Sequence, residues 1–260
     1  MPMDVSHFTM IGFALDTGNE ASFSQSSEKL VSSCEPTSLS ATDIVCIVKD
    51  VSGAELRFGL RRDLKGAEEI VTMNPAYLGE GRAKLVVDSD ASDSSEKPFE
   101  ISISAHFSGT QTPVILDMAD PLKVSVAAPG TSVTVDISAF SFKPEFFADD
   151  ASYLRAQKAS GTKVVMAPDH FIPSGMFFAR VGGAMPDDSK RPVAYADFAG
   201  EIVKCQLNTN SVGGGPYWWA LVKTYNGATI DVVMDPRTVD HVLKVGEIVS
   251  GRFWMTANVI

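Results

Sequence analysis

Tyr217-Trp218-Trp219-Ala220-Leu221-Val222-Lys223-Thr224-Tyr225-Asn226-Gly227-Ala228-Thr229-Ile230-Asp231-Val232-Val233-Met234 holds two apolar runs joined by Asn226-Gly227. Asn-Gly is the strongest short-range hairpin signal, because both residues accept the positive φ of a turn that matches strand twist. Two strands are therefore expected, Tyr217–Tyr225 and Ala228–Met234. Successive side chains on a strand point to opposite faces. Trp218, Ala220 and Val222 suit a barrel interior, while Tyr217, Trp219, Lys223 and Tyr225 face the other way.

Upstream, Ala194–Leu207 reads as a long strand expected to bend at Gly200. Downstream, Pro236–Leu243 is a crossover and Gly246 introduces a last strand, Glu247–Val259. Within that strand Val249, Gly251, Phe253 and Met255 match the interior and leave Arg252 and Trp254 outside. Earlier in the chain, Asn19 can cap a helix that carries Phe23, Ser27, Leu30, Val31 and Cys34 on one face, and Pro36 stops it. Apolar or alternating runs at Thr9–Leu15, Asp43–Lys49, Ala54–Leu60, Glu69–Met73, Ala83–Val87, Phe99–Phe107, Leu122–Ala128, Ser132–Phe142 and Lys163–Ala167 read as strands. Asp149 or Asp150 caps a short helix through about Lys158, and residues 179–192 are linker-like. Helices are few and short. The expected class is α+β, mainly β, with two β-rich modules: residues 1–130, a middle segment 131–192, and a β module 193–260.

The last segment resembles an OB-type barrel: a long bent first strand, a Gly-rich loop, a tight hairpin, a crossover and a Gly-Glu-Ile-Val-Ser-Gly-Arg-Phe-Trp ending. The chain also resembles uncharacterised bacterial proteins that combine an Asn-x-x-x-Gly-Gly loop, here Asn210–Gly214, with a Gly-x-Phe-Trp strand, here Gly251–Trp254. The resemblance is concentrated in the last 65 or so residues. It implies a fold and carries no activity. An OB barrel has five strands, whereas only four follow Pro192. The fifth must come from upstream, with Lys163–Ala167 as one candidate.

Charge narrows the partners. The 260 residues carry a net charge of −10, which disfavours nucleic acid because phosphate binding needs clustered Lys and Arg. Residues 193–260 are nearly neutral, so the acidity lies upstream. No apolar run approaches the length that spans a bilayer. Cys34, Cys46 and Cys205 are an odd set, far apart, and fit free thiols in a reducing cytoplasm.

Chemical motifs are sparse. His7, His106, His170 and His241 are isolated, with no spacing that would hold zinc, so neither metal nor cofactor is expected. Gly213-Gly214-Gly215 lacks the Lys-Ser/Thr and the helix that a phosphate loop needs, and reads as a hairpin loop. Asp88, Asp90, Asp93 and Glu96 miss the EF-hand positions and read as a solvated acidic loop. Asp149/Asp150 read as a cap, and Asp187/Asp188 as linker charge.

One surface has specific content. If the hairpin and the last strand share a sheet, one outer face collects Tyr217, Trp219, Lys223, Tyr225, Arg252 and Trp254. Aromatics interleaved with cations are what OB faces use to stack ligands. Packing of this face on the upstream residues is the favoured alternative. The chain is thus read as a non-catalytic cytoplasmic binding or interaction protein, its partner a protein or an uncharged small ligand. The rival is a hydrolase with a site near Asp169-His170.

Overall fold

Asn19 starts the first helix as the spacing suggests: its side chain accepts the Ser22 N–H at the head of α1 (Glu20–Val31). The apolar stripe Phe23, Leu30, Val31 and Cys34 then packs inward. The computed structural model describes residues 5–92, 98–120, 128–176 and 192–260. After α1 come β1 (Pro36–Ser38), β2 (Asp43–Lys49), β3 (Ala54–Arg62) and β4 (Glu68–Tyr77), an antiparallel four-stranded sheet in that order. A turn at Asp50–Gly53 joins β2 to β3, with Gly53 at φ 96°.

The remaining strands build a closed eight-strand barrel, with mainly β structure throughout. They are β5 (Ala83–Asp90), β6 (Ser102–Phe107), β7 (Pro113–Met118), β8 (Ser132–Phe140), β11 (Tyr195–Thr209), β12 (Pro216–Lys223), β13 (Thr229–Met234) and β14 (Ile248–Val259). Short β9 (Glu145–Phe147) pairs with β14, and β10 (Phe171–Ile172) pairs with β11. The helix α2 (Asp150–Ala159) starts in a capping box closed by Asp149 and Ser152.

Register explains the closure. The first part of β14 ladders with β11, from Glu201↔Ile248 to Tyr195↔Trp254. Its last part ladders with β8, from Met255↔Ala139 to Val259↔Val135, and touches β7. On its other edge β8 meets β5 with its first half and runs parallel to β13 with its second. The β8–β14 ladder therefore divides the circuit into two five-strand rings. One is β11–β12–β13–β8–β14 and the other is β8–β5–β6–β7–β14. Val135 and Ile137 of β8, Phe253 and Met255 of β14, and Trp218 and Val222 of β12 enter one continuous core. The interior parity read from the sequence is the observed one.

Several expectations are corrected. The fifth strand of the C-terminal ring is β8, and Lys163–Ala167 forms no strand. The barrel draws strands from all three expected segments, because four C-terminal strands alone cannot close. Thr9–Leu15 is a 3-10 turn (Thr9–Ile11) followed by a single bridge, Phe13↔Gly214. The bend in β11 is a bulge between Ile202 and Lys204, not at Gly200. Strand β7 had no counterpart in the reading. Cys34 and Cys46 are paired as a disulfide with Cα atoms 5.9 Å apart, because the end of α1 packs on β2, and Cys205 alone is free. Three free thiols, the expected sign of a reducing cytoplasm, are thus not present. Asp93, Glu96, residues 122–127 of the expected strand Leu122–Ala128, and residues 179–191 with Asp187/Asp188 lie outside the described residues. No helix among those described is long and apolar enough to cross a membrane.

Candidate functional site

The outer face of β12 lies under the N-terminal sheet. Tyr217, Trp219 and Leu221 share a second core with Leu56 and Phe58 of β3 and with Met10, Ile11 and Phe13. Trp219 is only 8% exposed, so the packing alternative describes this surface. The six candidate ligand residues are not brought together. Trp254 is half-buried against His7 and Phe140, and its indole N–H donates to Asp117 (2.5 Å). Tyr225 lies past the end of β12 and turns to the barrel core, edge-on to Phe107. Lys223 is exposed, and Arg252 holds Asp197 in a bidentate pair at 2.7 and 2.9 Å.

The Asn210–Gly214 loop is a clamp between the modules. Asn210 is fully buried; its amide N–H donates to the Ile11 carbonyl (2.8 Å), and its oxygen accepts Val212 N–H and Gly213 N–H. The next residue, Ser211, donates both N–H and hydroxyl to Asp50 of the β2–β3 turn. Burial pushes Asp50 upward, but the hydroxyls of Ser211 and Ser52 outweigh it and hold the carboxyl at about 2. A shallow cleft of about 250 Å³ opens beside this clamp, lined by Phe13, Gly215, Pro216, Pro236 and the Asp235–Arg237 pair.

Polar residues also meet at this junction. Asp136 of β8 and Asp231 of β13 are both buried on the barrel's outer face. The loop that leaves β4 closes over them: Gly79 N–H donates to Asp136 (3.1 Å), while Glu80 N–H (3.2 Å) and Gly81 N–H (2.7 Å) donate to Asp231. The Trp219 indole N–H adds a further bond to Asp231 at 2.7 Å. Neither acid was singled out from sequence. Each alternates with apolar neighbours on a strand, and only the parity shared by Asp231 and Trp219 hinted at a covered face.

His7 sits among Phe140, Phe142 and Trp254, with ring centroids 4.5 Å from Phe142 and 4.7 Å from Trp254. Burial pushes its pKa down to about 4. The unfolded chain takes up this proton near pH 6.5, and the folded chain does so only near 4. The stability contributed by neutral His7 is therefore present above pH 6.5 and is lost as pH falls toward 4. At pH 4 the loss is on the order of 2–3 kcal/mol. His7→Phe is expected to flatten this acid limb, read as the difference in Tm between wild type and variant at pH 4.5 and 7.5. An equal acid loss in both proteins would contradict the burial of the ring.

The other histidines are tied down. His106 pairs with Asp88 (2.8 Å), and His241 lies between Asp240 and Glu247, which raise its pKa. His170 holds the Ala167 carbonyl through Nδ1 at 2.8 Å, with the Tyr153 hydroxyl at 3.4 Å and Asp169 exposed beside it. The three-residue metal clusters that would suggest a metal centre do not occur among the described residues.

The end of β11 runs on past its ladder with β14, which closes the barrel. Ile202 exchanges backbone bonds with Gly246 and Glu247, both 2.8 Å. Beyond it, β11 has no partner on that side among the described residues. Antiparallel alternation fixes which groups face outward. Asn210 N–H bonds Gly215 O on the β12 side, so Cys205, Leu207 and Thr209 aim their N–H and C=O groups at the open edge. Leu207 is 51% exposed, and Val242 (69%) and Val245 (64%) flank Leu243, whose carbonyl accepts the Cys205 thiol.

No family model matches the chain, and no curated protein is similar to it.

Proposed function

We propose that the chain is a non-catalytic interaction protein whose C-terminal ring is OB-like and takes an extended peptide along the open edge of β11. The observation that carries this reading is the run of outward backbone groups at Cys205, Leu207 and Thr209, bordered by exposed Leu207, Val242 and Val245. A strand edge with free N–H and C=O groups is a template for an added strand, and apolar side chains beside it supply specificity. The five-strand ring with one parallel pair supports the OB-like assignment. The outer face of β12 is committed to the N-terminal sheet, whereas Leu207, Val242 and Val245 beside the edge are exposed.

The reading is tested by panning a displayed random octapeptide library on the intact protein. Selected peptides should alternate apolar and polar residues. Leu207→Pro removes one outward N–H and leaves the β12 ladder intact, because the N–H at 207 is not used there. It should weaken binding by about fivefold or more, and Thr209→Pro should behave alike. Peptides that bind Leu207→Pro as well as wild type, or a library that enriches nothing, would end this reading.

A further inference from the structure

We propose that Asp136 and Asp231 hold one proton between them, and that this proton latches the loop leaving the N-terminal sheet onto the barrel. Asp231 accepts three bonds, from two loop amides and the Trp219 indole, which leaves room for one more donor. Asp136 accepts Gly79 N–H through Oδ2, with the Arg82 guanidinium at 3.4 Å from the same oxygen. Its Oδ1 is buried and meets no donor among the described residues. The group beside it is the Asp231 carboxyl, itself only an acceptor when ionised. A proton on Asp136 turns that contact into a hydrogen bond from one carboxyl to the other. Without it, two adjacent carboxylates face one another out of water, an arrangement that drives one of them to stay neutral.

Every packed element contributes to this balance. Tyr77, at the end of β4, lies against both acids, and its own ionisation is pushed upward by burial and by the neighbouring Tyr217 and both carboxylates. From the loop come Glu80, which pairs with Lys204 of β11, and half-exposed Arg82. Asn258 of β14 stands opposite Asp136 in register and touches Arg57 of β3, which pairs with Glu55. Among the described residues, Arg82 is thus the one cation at the acids. Burial and then the Asp231 charge push Asp136 up to about 7; burial also raises Asp231, against the opposing pull of the Gly81 amide. Asp136 is the acid with an oxygen that meets no donor, whereas Asp231 accepts three, so the proton belongs on Asp136.

Gly79 and Gly81 show how tightly the loop is seated. A Cβ at Gly79 would lie 2.5 Å from the Asp231 carboxylate, and one at Gly81 would lie 2.4 Å from the Ile137 carbonyl. Opening the loop must hydrate both acids and release the proton.

The sign follows from linkage. Asp136 is a raised acid, so its contribution is fully present below the unfolded value near 4 and is lost as pH rises through about 7. Amide hydrogen exchange at Gly79, Glu80 and Gly81, corrected for base catalysis, reads this directly. Protection should fall by up to about tenfold per pH unit between pH 5 and 7 and level off above. Asp136→Asn keeps a donor toward Asp231 and carries no titrating proton, so its protection should be flat with pH. The carboxyl 13C shift of Asp136 in the wild type supplies a second readout that needs no variant, and should titrate near neutrality. Protection that does not depend on pH in the wild type, an Asp136→Asn profile matching it, or an Asp136 carboxyl titrating near 4 would each overturn the latch.

Discussion

Phe253→Ala is expected to lower stability by about 3–5 kcal/mol, the range for truncating a buried aromatic ring. For a chain of this size that corresponds to a fall in Tm of roughly 6–20 °C. The ring is fully buried on β14 and stacks on Phe198 with centroids 4.0 Å apart. Phe198 in turn stacks on Phe171, and Phe171 meets Phe107 edge-on at 5.1 Å. Phe107 belongs to β6 and Phe198 to β11, so this aromatic series crosses from one five-strand ring to the other. Truncation at 253 removes its anchor and leaves a cavity between elements that cannot collapse independently, since β14 pairs with both rings. Phe253→Leu retains most of the volume and should cost clearly less. A Tm within about 2 °C of wild type for the alanine variant would remove the ring from the core.

Phe253 also shows what the sequence made legible. Period-two alternation assigned Trp218, Val222, Val249 and Phe253 to one interior, because a strand exposes its two faces by geometry alone. The Asn226-Gly227 turn, with φ of 55° and 71°, followed from residue chemistry at two positions. What alternation could not say is which segment covers the other face. Tyr217 and Trp219 were correctly placed outside the barrel, yet their cover comes from β3 and from the turn at Thr9–Ile11. Tyr225 departs from the rule because it sits beyond the last residue of β12. The fifth strand was hidden for a similar reason: β8 runs parallel to β13 across a long intervening stretch, and no local signal marks such a pairing. Val164 and Val165 looked strand-like, but β propensity without a partner leaves them exposed. The acid pair needed the fold itself, since Asp136 and Asp231 become neighbours only when β8 and β13 do.

Gly12→Ala tests the contact that holds the two modules together. Gly12 has φ of 74°, a left-handed conformation that costs an alanine about 1–2 kcal/mol. A Cβ there would also lie 2.4 Å from the Gly215 carbonyl and 2.7 Å from the Asn210 Cβ. Both obstacles belong to the clamp, where Gly215 N–H donates to the Gly12 carbonyl at 2.9 Å and Asn210 holds Ile11. Overpacking of this kind adds about 1–3 kcal/mol, for a total of roughly 2–5. Gly214→Ala separates the two contributions. Its φ is 77°, but nothing lies within 4 Å of its Cβ position, so only the conformational cost applies. Urea unfolding of both variants should therefore rank Gly12→Ala well below Gly214→Ala. If they lose the same stability, the loop is not jammed against the turn. If the ranking holds, the weakened clamp should let the N-terminal sheet lift from β12 and bare Tyr217, Trp219 and Leu221. An apolar surface of that kind promotes association. Concentration-dependent aggregation should then appear in Gly12→Ala at temperatures where Gly214→Ala remains monodisperse.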